Sequence, residues 1–345
     1  MSRRDRIAKI CGRGLDGRAL RIELLAEVRS EIAFDAYVWL VTDPETCVGS
    51  APLADVPSLA DIPKVIRLKY LTAMNRWTTL PSNTAVTLVG ATSGDLSRSL
   101  VWRELLRGYG VSDVMSMVFR DQYGTWAFVD LWRHGGVFLE GECEVLTDLA
   151  DVATSALRHT SMPSFEHSSS TLDRHSGPAV LLLSDDLELL TQTPQADAYL
   201  RALLPTDAER APIPAGAYNV AAQLLAHQAA VDTHPPSARV HLRDGLWVTL
   251  RAARIEKTSA DAASIAVSIE PTPATERAAL YARVAGLSER ESELLRHLVA
   301  GTDTRELAQR LFVSEHTVQD HLKSVFAKTG VNNRRVLVAR ATGLT

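Results

Sequence analysis

The last stretch of the chain, Leu287 to Thr345, admits few folds because cap residues mark where its helices start and stop. Ser288 followed by Glu291 has the spacing in which a hydroxyl takes an orphan amide of the first turn and a carboxylate reaches back to the cap. Leu294, Leu295, Leu298 and Val299 then recur at helical spacing until Gly301 offers a positive-φ stop. Asp303 and Glu306 predict a second box, opening a short helix with Leu307, Ala308 and Leu311 inward. Ser314 caps a third helix with Val318, Leu322 and Val325 inward, and Gly330 ends it. Asn332 and Asn333 precede a fourth helix. Four short helices with tight connections follow.

A short helix, a tight turn and a second helix with a polar outer face is helix-turn-helix geometry. A plain helical docking bundle would show the same periodicity. The run Gly301, Thr304, Glu306, Leu307, Ala308, Leu311, Val313, Ser314, Thr317, Val318, His321, Lys328, Gly330, Val331 and Arg334 resembles the LuxR/FixJ-type DNA-binding domain, in order and spacing. That resemblance implies that the third helix enters the major groove and that Gln319, Asp320 and Lys323 meet base edges. Gln pairs with adenine N6 and N7, Asp accepts from cytosine N4, and Lys donates to guanine O6 or N7. Thr317, Lys328, Arg334 and Arg335 are placed for phosphates, which position without specifying. His321 lies near the inner stripe and reads as a packing residue.

Nine basic against seven acidic side chains give this segment a net charge of +2, whereas the whole chain carries −4. The chain is therefore no general polyanion binder, and any positive field is local. The last helix, with Val331, Val336 and Val338 as an aliphatic edge, resembles the family's dimerisation element. A homodimer on an inverted repeat of double-stranded DNA is expected.

A chain of 345 residues is long enough for two or three domains. It contains no apolar run approaching the roughly 20 residues of a membrane span, so no membrane partner is expected. The basic opening MSRRDRIAKICGRG lacks the apolar core of a signal peptide. Cys11, Cys47 and Cys143 are far apart and outside metal-ligand spacing, which suggests reduced thiols in the cytoplasm, with no metal and no cofactor.

Residues 1–160 read as mixed α/β. The spacing predicts helices over Asp16–Ser30, Asp61–Asn75, Ser93–Gly108 and Glu140–Arg158, a strand at Ala36–Asp43, and a hairpin of Val111–Arg120 with Thr125–Arg133. This order, and the run from Trp102 to Arg158, resembles the GAF-like sensor domain found ahead of many actinobacterial LuxR-type domains. Such domains commonly bind small molecules between sheet and helices, so a small-molecule effector is the expected input. Tyr37, Trp39, Trp77, Trp102, Trp126, Phe128 and Trp132 are the candidate lining, with ordinary core packing as their alternative role. The acidic pair, aspartate and lysine of a phosphorylation receiver are not found, nor is the Trp, Tyr and Asp spacing of an acyl-homoserine-lactone sensor.

Ser161–Gly177 is polar and Ser-rich and reads as a linker, whose His167 and His175 are linker composition rather than a metal site. Residues 178–272 carry two strands, helices over Pro194–Leu204 and Ala217–Ala230, a hairpin turning at Arg243-Asp244-Gly245, and a last strand at Ala262–Glu270. That order resembles a small PAS-like domain. Residues 273–286 predict a connector helix into the helix-turn-helix domain at 287–345. No nucleophile elbow, P-loop or His-Glu-x-x-His occurs, so an enzyme is not expected. The expected function is a sequence-specific DNA-binding transcription regulator modulated at its first domain. The alternative is a regulator whose helix-turn-helix docks a protein.

Overall fold

The computed structural model describes residues 2–166, 177–203, 215–242, 246–255 and 264–344. These fall into two compact units, one drawn from residues 1–160, 177–240 and 249–270, the other from 161–176, 241–248 and 271–345. Both His167 and His175, and the Arg243-Asp244-Gly245 turn, lie outside the described residues. Among the described residues no helix is long and apolar enough to cross a membrane.

The first unit opens with a helix the sequence reading did not anticipate, α1 (Arg3–Cys11). Ser2 and Asp5 form a reciprocal capping box there, and Arg3 and Arg6 pair with Glu31 and Glu27. Asp16 caps α2 (Gly17–Arg29), which leads into β1 (Ala36–Thr42). The next strand, β2 (Gly49–Asp55), carries Gly, Ser and Pro52 and so shows no strand pattern in the sequence. It is an edge strand, and Pro52 falls where its register with β1 shifts, both places where proline is tolerated.

After α3 (Ile62–Leu71) come β3 (Val86–Thr87) and the single turn α4 (Leu88–Ala91). The helix expected over 93–108 is broken. Ser99 adopts an extended ψ of 123° between a 3-10 turn at Leu96–Arg98 and a π turn at Trp102–Leu106. The hairpin of β4 (Asp113–Asp121) and β5 (Gly124–Arg133) follows, then α5 (Glu140–His159). The strands form one antiparallel sheet in the order β2-β1-β5-β4-β3.

Continuing, β6 (Ala179–Leu183), β7 (Leu189–Gln192), α6 (Pro194–Leu203), α7 (Ala215–Gln228), β8 (Ser237–His241), β9 (Trp247–Ile255) and β10 (Ser264–Pro271) build a second sheet, in the order β7-β6-β10-β9-β8. Numbered within itself, each sheet runs second, first, fifth, fourth, third. The two share one topology.

Helix α7 has no polar face: Asn219 and Gln223 are as buried as Val220 and Ala221. It packs on α3 and β2 of the first sheet's layer, and Gly216 brings it close to Leu250 of β9. A helix buried all round has neighbours all round. Two polar clusters join these layers. Arg239 makes a bidentate pair with buried Asp43 at 2.7 Å. Burial works to raise the Asp43 value, and the guanidinium outweighs it and holds the carboxyl below the usual range. Arg76, with no exposed surface, pairs with Asp232 at 2.8 Å and receives support from Gln223 of α7 at 2.9 Å.

The second unit contains α8 (Ala274–Val284), α9 (Glu289–Val299), α10 (Thr304–Arg310), α11 (Glu315–Thr329) and α12 (Arg334–Thr342). The connector α8 packs on α9 and α12, burying Leu280, Tyr281 and Val284. Tyr281 meets the Phe165 ring edge-on at 5.1 Å, and Phe165 stacks on Trp247 at 5.1 Å.

Gly124, at the start of β5, has φ +148, and an added Cβ would stand 2.5 Å from the Pro44 carbonyl oxygen. Gly124→Ala is expected to destabilise the first unit by about 1–3 kcal/mol, read as a lower urea midpoint. An unchanged midpoint would show that the turn at Pro44 yields freely.

Candidate nucleic-acid interface

The helix-turn-helix is assembled by its caps. Ser288 and Glu291 form the expected reciprocal box, and Ser314 accepts from the Thr317 amide. Asp303 caps α10, but Glu306 does not reach back as expected. Its carboxylate instead holds Arg310 one turn on, at 2.6 Å. Gly301 and Gly330 stop their helices at φ +84 and +65. Phe312, in the turn between α10 and α11, takes φ +54 and is 93% exposed.

Val318, Leu322, Val325 and Thr329 are the buried stripe of α11, so Gln319, Asp320 and Lys323 stand together on its outer face, all exposed. Lys323 bonds Asp320 at 3.1 Å, and the His316 ring lies 3.6 Å from the same carboxylate. The Lys323 bond holds the Asp320 carboxyl below its usual value, so it is an acceptor at neutral pH. His321 is half-buried beside the stripe.

The four residues expected at phosphates divide. Thr317 sits at the start of α11, within 2.9 Å of the Ser314 hydroxyl, and Arg335 is exposed at the start of α12. Arg334 donates to the Thr302 carbonyl, fastening α12 to the loop before α10. Lys328 binds Glu291 at 2.5 Å. Of the aliphatic edge expected on α12, Val336 is exposed and Val338 half-buried, whereas Val331 precedes the helix and is buried.

Glu291 is the residue whose second role went unread. Besides capping α9 it accepts from Ser324 at 2.6 Å and from Lys328, both on α11. Its carboxylate is nearly buried, so desolvation works to raise its value. Lys328, Ser324 and the Ser288 amide outweigh that and hold it down to about 2. One carboxylate thus joins the first helix of the bundle to the outward-facing third.

In the first unit, a cavity of about 40 Å³ lies on the sheet face that carries Val38, Leu40, Ser116, Phe128, Asp130 and Trp132. Pairings of Leu40 with Phe128 and of Ser116 with Asp130 bring these onto one face. Lys69 pairs with Asp130 at 2.8 Å. Asn75 Nδ2 and Asn219 Oδ1, both buried, find no hydrogen-bond partner among the described residues. Of the seven candidate aromatic residues Phe128 and Trp132 line the cavity. Trp77 stacks behind Phe128 at 4.6 Å, Trp39 stacks on Phe119 and Tyr37 meets Phe34 edge-on. The Trp102 and Trp126 indoles donate to the Val111 carbonyl and to Asp121.

Residues 285–341 match the family model for bacterial regulatory proteins, luxR family. The probable csgAB operon transcriptional regulatory protein of Salmonella typhimurium and the CsgBAC operon transcriptional regulatory protein of Escherichia coli are each 44% identical over 55 residues, 16% of this chain and 26% of theirs. Spore germination protein GerE of Bacillus subtilis is 42% identical over 48 residues, 14% of this chain and 65% of its own. The chain thus covers less than two thirds of each. Among solved structures, Escherichia coli SdiA aligns over 99% of this chain and 97% of its own, at 12% identity and a TM-score of 0.36. That leaves the first unit to be argued from its own topology. The C-terminal helices α9–α12 are a GerE/LuxR-family helix-turn-helix domain, the class found in bacterial transcription regulators.

Folding lowers the Glu291 value, so its contribution to stability is present above the ordinary 4.5 and disappears as pH falls toward 2. Glu291→Gln should cost about 1–3 kcal/mol at pH 7, with the gap to wild type closing by pH 2. Chemical unfolding followed by circular dichroism at the two pH values measures this. A gap independent of pH would assign the loss to packing.

Proposed function

We propose that this protein is a sequence-specific DNA-binding transcription regulator that acts in the cytoplasm as a homodimer on an inverted repeat. The observation that carries the reading is the outer face of α11, where Gln319, Asp320 and Lys323 stand exposed in a LuxR-family domain. The Lys323 ammonium has three donors and only one is taken by Asp320, which leaves donors for guanine. Thr317 and Arg335 serve phosphates. Arg334 and Lys328 share that role with the internal bonds they already make. The exposed Val336 supports α12 as the dimer element.

The two sheets, alike in strand order, support a GAF-like module over residues 1–160 and a PAS-like module over 178–272, with a linker at 161–177. The cavity of the first module is the input. Its unpaired Asn75 and Asn219 atoms suit a small, largely apolar molecule that carries one hydrogen-bonding group. Signal binding alters operator affinity only through different affinities for two arrangements of the protein.

Selection of bound sequences from a random duplex library tests the first reading. Enrichment of an inverted repeat is expected, with Lys323→Ala losing about 1–3 kcal/mol of discrimination at one base pair. Arg335→Ala should weaken all sequences alike and shorten the salt slope by about one. Binding without sequence preference by the dimer would overturn it.

For the input, a compound that raises the melting temperature of wild type should lose that effect in Asn219→Leu, which fills the space and removes the amide. Equal shifts in both would place the ligand elsewhere.

A further inference from the structure

Cys47 lies in the turn between β1 and β2, in the left-handed region at φ +59, and is 6% exposed. Its Sγ is 3.6 Å from Nε2 of His234, and Nδ1 of the same ring is 2.8 Å from Oδ1 of Asp232. Sulfur, imidazole and carboxylate are therefore in series, a nucleophile beside a ring that a third group orients. The carboxylate is itself fixed, by Arg76 at 2.8 Å, Thr78 at 2.6 Å and Gln223 at 2.9 Å. Arg76 balances the charge of Asp232, which leaves the charge of a protonated His234 to face the sulfur.

The neighbouring groups have other tasks. Asp43 and Glu45 both pair with Arg239, and the Tyr70 hydroxyl accepts from the Gly49 amide. His234 is a third exposed and connects the array to solvent. The hydrogen bond that the ring donates to Asp232, followed by that to Cys47, raises the His234 value to about 10, so the ring is protonated at neutral pH. Among the described residues neither other thiol is bonded to an imidazole. Burial pushes Cys11 up, and burial with Asp113, Glu142 and Glu140 pushes Cys143 up.

We propose that Cys47, His234 and Asp232 form a thiol modification site that takes small hydroperoxides, with hydrogen peroxide as the simplest. In its thiolate form the sulfur attacks the distal peroxide oxygen, so an S–O bond forms as the O–O bond breaks. Sulfur loses two electrons and becomes the sulfenic acid, and the peroxide is reduced to hydroxide, which leaves as water with the proton from His234. Asp232 is a positioning residue, holding the ring with Nε2 toward sulfur. The oxidised sulfur carries a polar oxygen in a buried turn, beside the part-exposed His234.

The test uses the reduced full-length protein, pulsed with hydrogen peroxide in the presence of dimedone, with mass spectrometry reading labelling at each cysteine. Cys47 is expected to label about tenfold or more faster than Cys143, and faster than Cys47 in the urea-unfolded chain, as an imidazolium held beside the sulfur requires. His234→Gln should bring Cys47 down to the rate of Cys143, while Cys11 and Cys143 keep their rates and the circular dichroism spectrum is unchanged. If folding slows Cys47 labelling, or if His234→Gln leaves it as fast as before, the proposal is overturned. Where His234→Gln alters the fold, the comparison of folded with unfolded wild type decides alone.

Discussion

A guanidinium with no exposed surface anchors the first unit. Removing the charge of Arg76 from water costs several kcal/mol, which only full pairing offsets. Its Nε meets Asp232 and Thr78, one terminal nitrogen meets Gln223 and the other the Tyr70 carbonyl. These partners come from the end of α3, the segment after it, α7 and the loop beyond α7. Each holds the others in place, because moving any one would leave a buried charge unsatisfied. The cavity and the Cys47 array both stand on this frame: Tyr70 and Asn219 line the first, and Asp232 orients the second. Loss of one partner is therefore felt at two sites.

The C-terminal domain was legible because its information is local. A cap and its helix lie within four residues, and the stripe Val318, Leu322, Val325 is visible as a period. What failed there was long-range. Capping-box spacing says where the Glu291 carboxylate begins, and nothing in it says that Ser324 and Lys328 close around it from another helix. The bond from Lys328 is unread for the same reason, since a lysine on a helix surface carries no mark of its partner.

In the first unit the limits were of two kinds. Strand β2 was hidden by Pro52, a residue whose meaning depends on whether the strand is an edge. The cavity was hidden by register: aromatic content reports that Trp39, Trp77 and Trp126 are buried, whereas pairing such as Leu40 with Phe128 decides which face each side chain joins. The Cys47–His234 contact spans 187 residues, and no spacing rule reaches that far.

Helix α7 carries a consequence for the history of the chain. Sheets of like strand order suggest exchangeable cassettes, which recombination could trade between genes at the linker. Yet Asn219 of α7 walls the first sheet's cavity, and α7 itself follows the second sheet's opening strands. A cassette exchanged at residues 161–177 would arrive without the helix its new neighbour requires. The two halves are therefore expected to descend together, with substitutions in α7 answered by substitutions in α3 and β2.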